Sequence, residues 1–187
     1  YLAATHQDDP ETPYKNIVAL GNNAATLHHV SYEKHTRDSQ AESLLLDAGA
    51  AFAGYCSDIT RTWWRGSGPT VSVFAHMVHE TEKMELRLCE AVAHGLPYEE
   101  LHERAHREIS VILKEIGLFT CSVDEAIGAK LSRSFFPHGL GHSLGLQCHD
   151  VGCALVRPRP ENPYLRNTSI IEPGQVFTIE PGIYFID

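Results

Sequence analysis

The chain lacks any CxxC pair. Its 187 residues hold five cysteines (Cys56, Cys89, Cys121, Cys148 and Cys153). An odd, scattered set reads as the reduced thiols of a cytosolic protein, not as a disulfide framework. No apolar run reaches the roughly 20 residues that a bilayer-spanning helix requires. The first stretch, YLAATHQDDP, is polar and acidic, unlike a secretion signal. A cytoplasmic location with no membrane partner is therefore the expectation. Positive charge is also short: 15 basic residues face 24 acidic ones, a net charge of −9, which argues against nucleic acid or an anionic membrane as a partner. Methionine is missing at position 1, where Tyr1 stands, so the natural start is expected to lie outside this chain. Internal repeats and low-complexity tracts are absent.

What is present is a folded composition. Hydrophobic residues make up 43% of the chain, enough to bury a good core at this length. Residues 1–7 read as the tail of a helix, and QDDPETP as a turn-rich loop. Asn16–Gly21 and Ala24–His28 read as short strands around a GNN turn, and Ser31–Gln40 as a polar loop. Glu42–Asp47 reads as a buried strand. Ala50–Cys56 and Ser57–Trp64 continue as a β-ribbon, with Gly49 and Gly54 as bend points. The period then changes. Val73, Met77, Met84, Leu88 and Val92 recur at helical spacing over Val71–Ala93, and Leu101, Ala105, Ile109, Ile112 and Ile116 do so over Tyr98–Ile116. Gly117 is the expected stop of the second helix. A short helix is expected over Val123–Leu131, a Pro-rich loop at RPRPENPYLRN, and an apolar strand over Gln175–Ile186. The fold class is α+β: a curved antiparallel sheet covered by helices.

Three carboxylates stand out because of where they sit. LLLDAGA places Asp47 at the end of an apolar strand, where an ionised group is costly to bury without a compensating charge. Asp58 follows eleven residues later, in SDITRTW, and a ribbon turning at Gly49–Gly54 would bring the two together. Neighbouring anions repel, and a divalent cation between them removes the penalty. Blander readings exist: Asp58 pairs with Arg61 or Arg65, and Asp47 caps a turn. Glu180 interrupts the apolar VFTI and is followed by Pro-Gly, which redirects the backbone at the charge. FPHGLGHSLGLQCHD adds His138, His142 and His149, with glycines at 139, 141 and 145 that argue against a helical zinc motif. A lone histidine in such a loop is usually an ordinary surface residue. Three acids with one imidazole form an oxygen-rich set suited to Mn²⁺, Fe²⁺, Co²⁺ or Zn²⁺.

These segments, together with NIVALGNNAATLHH and YLRNTS, resemble the pita-bread metallopeptidases. They are most similar to the Xaa-Pro dipeptidase (prolidase) branch, which includes bacterial prolidases with organophosphate anhydrolase side activity. The order and spacing of the pieces agree across most of the chain. The resemblance implies a dinuclear site, usually of Mn²⁺, with a bridging hydroxide that attacks the bond between Xaa and Pro. By position, Asp47 would chelate one metal, Asp58 would bridge both, and His142 and Glu180 would bind the other. Glu180 would also take the nucleophile's proton. His149 resembles the histidine that holds the substrate carbonyl and its developing oxyanion. His28 resembles one that closes over the substrate, in preference to His29, and His138 resembles a supporting histidine of the pocket. Arg166 matches an arginine that grips the substrate's C-terminal carboxylate, for which a planar guanidinium suits. Without the resemblance, Arg166 reads as a loop arginine solvated beside Glu161.

The sequence also departs from that family. The family's fifth ligand, a second bridging glutamate, has no counterpart, because only PGIYFID follows Glu180. Its N-terminal domain and last strands have no counterpart either. Residues 1–187 are thus expected to be a single, partial catalytic domain, incomplete at both ends. Position 169 is Ser where close relatives commonly carry Arg, so substrate preference is expected to differ. One weakly held metal on the His142 side, or none, is the expectation, with slow or absent hydrolysis. An open strand edge near Ile186 would favour self-association, and a homodimer is a further expectation. The alternatives are an Xaa-Pro aminopeptidase, a methionyl aminopeptidase, and a non-catalytic module of the same fold that binds peptides or proteins.

Overall fold

The computed structural model describes residues 12–31 and 42–186. The expected helix tail at 1–7 and most of the QDDPETP and Ser31–Gln40 loops lie outside the described residues. The rest divides into two compact units. One takes in the described residues up to Ala75 with Leu144–Asp150 and Ile186; the other takes in His76–Ser143 and Val151–Phe185.

The first unit is built on strands. β1 (Ile17–Leu20), β2 (Ser43–Ala48) and β5 (Ile59–Trp64) form an antiparallel sheet in the order β1-β2-β5. The LLL run supplies its central strand. The register sets Asp47 opposite Ile17 on one side and Thr60 on the other. β5 alternates strictly: Ile59, Arg61 and Trp63 are exposed, while Thr60, Thr62 and Trp64 are half-buried, the period of a pleated strand. Between β2 and β5 stands a small hairpin, β3 (Ala51–Phe52) and β4 (Tyr55–Cys56). Its two-residue turn has φ 51° at Ala53 and 79° at Gly54, both left-handed, as a twisted two-residue hairpin requires. Ala24–His28, expected to be a strand, is not one. A 3₁₀ turn occupies Gly21–Ala25, because Gly21-Asn22-Asn23 supplies turn-forming residues and Gly21 takes φ 54°.

The helices are α1 (Pro69–Glu90), α2 (Tyr98–Glu115) and α3 (Val123–Gly128). Pro69 opens α1 at the position where its missing N–H costs nothing. α1 buries Met84 and Leu88, but Val73 and Val92 of the expected stripe are exposed. α2 follows expectation more closely: Leu101, Ala105, Ile109 and Ile112 are buried, Ile116 packs at the margin, and Gly117 ends the helix with φ 79°. α3 is shorter than expected. It starts in a capping box between Ser122 and Glu125 and gives way, after Lys130 at φ 57°, to a 3₁₀ turn at Leu131–Ser134. The second unit's core joins Met84, Leu88, Tyr98, Leu101, Ile109, Leu113, Phe136, Leu140 and Ile171.

Gln175–Ile186 was expected to be a strand, and the structure corrects this. The segment lies antiparallel to residues 135–143 through separate bonds, not a regular ladder: Thr178 N–H to His142 O, Glu180 N–H to Leu140 O and Tyr184 N–H to Phe135 O. Among the described residues, the one bridge there is Ser143 with Phe177. Pro181-Gly182 interrupts the even spacing: two of these bonds precede it and the third resumes only at Tyr184.

Candidate metal centre

In the first unit, Asp47 ends the central strand and Asp58 precedes β5. Gly49 allows the chain to close between them. A Cβ at that position would collide with the Ser57 carbonyl, and would lie 2.7 Å from the Tyr14 ring and 2.8 Å from Pro13. Ala50 and Ser57 hold the ends of the ribbon together, with Ser57 N–H donating to Ala50 O at 2.8 Å. The Tyr14 hydroxyl then reaches both acids: its oxygen is 2.6 Å from Asp47 Oδ1 and 2.8 Å from Asp58 Oδ1. Burial, reinforced by the two carboxylates, holds the Tyr14 phenol far above its ordinary pKa, so it stays protonated. One hydroxyl carries one proton, yet two carboxylate oxygens face it. The second oxygen of Asp58 is occupied separately: the Cys148 thiol donates to Oδ2 at 3.1 Å. The Asp58 contacts thus include a tyrosine and a cysteine.

In the second unit, the antiparallel contact of residues 135–143 with 177–184 brings His142 and Glu180 together. Gly141 makes the approach possible, since a Cβ there would collide with the Thr178 carbonyl and lie 2.6 Å from the Tyr98 hydroxyl. Buried Tyr98 donates its O–H to Thr178 O at 2.7 Å. The Thr178 hydroxyl accepts from His142 N–H at 3.0 Å and donates to Glu180 Oε1 at 3.0 Å. The imidazole of His142 is buried, and its Nδ1 lies 2.8 Å from the Ser143 carbonyl. A carbonyl can only accept, so Nδ1 carries the proton. In the neutral ring, Nε2 then presents a lone pair, and it faces Glu180 Oε1 at 3.2 Å. Two acceptors at that distance need a proton or a cation between them.

The chemistry of the donor sets therefore fits divalent metal. Asp47 and Asp58 converge on the Tyr14 hydroxyl, and a cation between them would satisfy both. His142 and Glu180 aim two lone pairs at a common point, with the histidine's other nitrogen fixed by a carbonyl, the usual outer support of a metal-binding imidazole.

The remaining expected residues are placed as follows. His138 is half-buried, donates from Nδ1 to Gly139 O at 2.8 Å, and packs edge-on against Phe136 and Tyr184. His149 and His28 are exposed, and His28 has φ 61°. Arg166 is exposed between Leu165 and Asn167, both buried. Ser169 is buried, and its N–H and O–H both donate to Asn167 Oδ1. Sequence reasoning missed Tyr14, Cys148, Thr178 and Tyr98. Only Cys148 had a visible signal, because it lies inside the histidine segment. It also missed a part-buried polar network between α2 and residues Arg133 and Asn162. There, Arg133 donates to His106 Nε2 at 3.1 Å and to Asn162 at 2.7 Å, and Asn162 donates to Glu99 and Glu103.

Comparison with known proteins gives the chain's family. The model of the family described as "Metallopeptidase family M24" matches residues 2–187. A protein named Xaa-Pro dipeptidase from Marinobacter nauticus is 47% identical over the full chain, and one of the same name from Pseudoalteromonas atlantica is 43% identical over the full chain. The chain spans only 43% and 44% of those relatives' lengths, respectively. Among solved structures, Escherichia coli aminopeptidase P with the inhibitor Pro-Leu matches with a TM-score of 0.80 at 31% identity, over 97% of this chain and 38% of that one. The zinc-substituted form of the same enzyme with product matches with a TM-score of 0.76. These likenesses give the pita-bread fold, and with the family match they show that this chain belongs to metallopeptidase family M24.

Proposed function

We propose that the chain carries the greater part of the metal-binding machinery of a divalent-metal-dependent peptidase that cleaves Xaa-Pro dipeptides. The observation that carries this reading is the convergence of acceptors: His142 Nε2 against Glu180 Oε1, and Asp47 with Asp58 at the Tyr14 hydroxyl. Asp47, Asp58, His142 and Glu180 are the ligands, and Mn²⁺ is the first metal to test. When bound, the metal polarises the scissile carbonyl and lowers the pKa of a coordinated water. Glu180 has a second part as the acceptor of a proton, for which its partly exposed carboxylate is suited. His149 would hold the substrate carbonyl, His28 would cover the substrate, and His138 would support the pocket. Arg166, anchored by buried neighbours on both sides, would grip the C-terminal carboxylate and so select dipeptides. A reducing compartment suits the five cysteines, none of which is in a disulfide. Among the described residues, no helix is long and apolar enough to cross a membrane.

The test is Gly-Pro hydrolysis with added Mn²⁺, by this chain and by a form extended with the family's remaining segments. Activity in the extended form that disappears on Asp58→Asn is the expected result. An extended form inactive with every divalent metal would leave only a binding role. The structural neighbours named aminopeptidase P favour a second reading, an Xaa-Pro aminopeptidase. Preference for Gly-Pro-Pro over Gly-Pro would select it.

A further inference from the structure

We propose that Cys148 is an additional, thiolate ligand of the cation held by Asp58, and that it turns this centre toward thiophilic metals such as Zn²⁺ and Co²⁺ and away from Mn²⁺. The inference rests on the reading of Asp58 as a metal ligand and adds a donor that reading does not contain.

The two oxygens of Asp58 have different neighbours. Oδ1 faces the Tyr14 hydroxyl, an oxygen donor, while Oδ2 faces the Cys148 thiol. The thiol is placed by backbone bonds, not by chance packing of a loose side chain. Cys56 N–H donates to Gly145 O at 2.8 Å, and Cys56 Sγ reaches Leu146 O at 3.6 Å. Gly145 N–H donates to Gln147 O, and Gln147 N–H reaches Asp150 Oδ2. The segment leading into Cys148 is thereby fastened to β4, two residues before Asp58.

The spacing suits a shared cation. Metal–oxygen bonds of roughly 2.0–2.2 Å and a metal–sulfur bond of about 2.3 Å put the two donor atoms about 3.1 Å apart at right angles and about 3.6 Å apart at the tetrahedral angle zinc favours. Asp58 Oδ2 and Cys148 Sγ are separated by 3.1 Å, so the pair needs to part by at most about 0.5 Å to take the ion. In the metal-free chain the thiol keeps its proton and donates it to the carboxylate. On coordination the S–H bond breaks, the sulfur–metal bond forms, and the proton leaves to the buffer. A carboxylate pair alone prefers hard cations; one thiolate among them shifts preference toward softer ones.

Co²⁺ titration of this chain tests the proposal. A thiolate-to-cobalt charge-transfer band in the near ultraviolet is expected in the native sequence, and its loss is expected in both Cys148→Val and Cys148→Ser. The serine variant covers any packing fault that valine introduces. The ratio of Zn²⁺ to Mn²⁺ affinity should fall on the order of tenfold in each variant. Equal Co²⁺ binding by all three proteins with no such band would overturn the thiolate ligand and leave the metal reading intact. Failure of the native chain to bind Co²⁺, Zn²⁺ or Mn²⁺ at all would overturn both.

Discussion

The two units fix their candidate metal-binding side chains by opposite means. In the first, the buried apolar residues are mostly small: Ala19, Ala48, Ala50 and Ala51, with Ile17 and Val71. The acid pair there is fixed by close backbone approach at Gly49 and by one shared hydroxyl. In the second, Tyr98, Phe136, Met84, Leu88 and Leu113 are fully buried, and His142 and Glu180 hang from segments wedged into that core. Contact at an alanine-lined sheet buries little area per residue, whereas an aromatic or leucine contributes about 2 kcal/mol or more. The lesson is that the Asp47–Asp58 pair depends on polar tethers and the His142–Glu180 pair on packing.

The sharpest test of that contrast is a matched pair of truncations. Leu113→Ala should lower stability by about 2–5 kcal/mol, because it leaves a cavity in the dense core. Ala48→Gly in β2 should cost about 1 kcal/mol, mostly through chain entropy. Urea denaturation of both variants measures the difference. Equal losses would break the distinction between the units.

Acid gives the second test, and it acts on the helical unit. His102 and His106 lie one turn apart on α2, buried, with their Nε2 atoms 3.2 Å apart. Arg133 can only donate, so His106 Nε2 accepts from it, and His106 Nδ1–H donates to Ser132 Oγ at 3.1 Å. His102 Nδ1 is buried with no hydrogen-bond partner. Burial lowers the pKa of His102 to about 4 and, with the charge of His102 as the next cause, that of His106 to about 3, from an ordinary 6.5. Glu103 and Glu99 oppose the shift at His102, while Arg133 and His138 add to both. Since the folded values are depressed, the unfolded chain binds more protons than the folded one below 6.5. Stability is therefore full above that pH and falls as pH drops toward 4, by on the order of a few kcal/mol. A double His102→Gln, His106→Gln variant should flatten the denaturation midpoint across that window. An unchanged slope would remove the pair as the cause.

The contrast also explains which features were legible in the sequence. α2 was readable because its apolar residues recur every three or four positions, and its burial followed. Asp47 and Glu180 were readable because a charge inside an apolar run is conspicuous. Val73 and Val92 misled, because a periodic stripe does not say how much of it finds a partner. Gln175–Ile186 misled because apolar composition cannot reveal where a neighbour supplies scattered bonds in place of a ladder. Tyr14 was invisible: 33 residues separate it from Asp47, and nothing local marks it. Tyr98 was read only as the start of a helix, although its hydroxyl supports the carbonyl of Thr178. Long-range polar tethers leave no periodic trace in a sequence.

Tyr14 supplies the last and smallest test, on the tethered side of the comparison. Its hydroxyl is the positive end of a dipole placed between two anions, so Tyr14→Phe leaves Asp47 and Asp58 facing one another across an apolar ring edge. Loss of a hydrogen bond to charged groups should cost the metal-free chain about 1–3 kcal/mol. A divalent cation at the acids answers the same deficit, so its presence should matter more to the variant than to the native chain. Thermal unfolding with and without saturating Mn²⁺ measures this as two melting shifts. The variant's shift should be the larger, with its melting temperature in metal approaching the native value. Equal shifts would mean that the hydroxyl and the cation do not act on the same oxygens, and the acid pair would then be held by Gly49 and the sheet register alone.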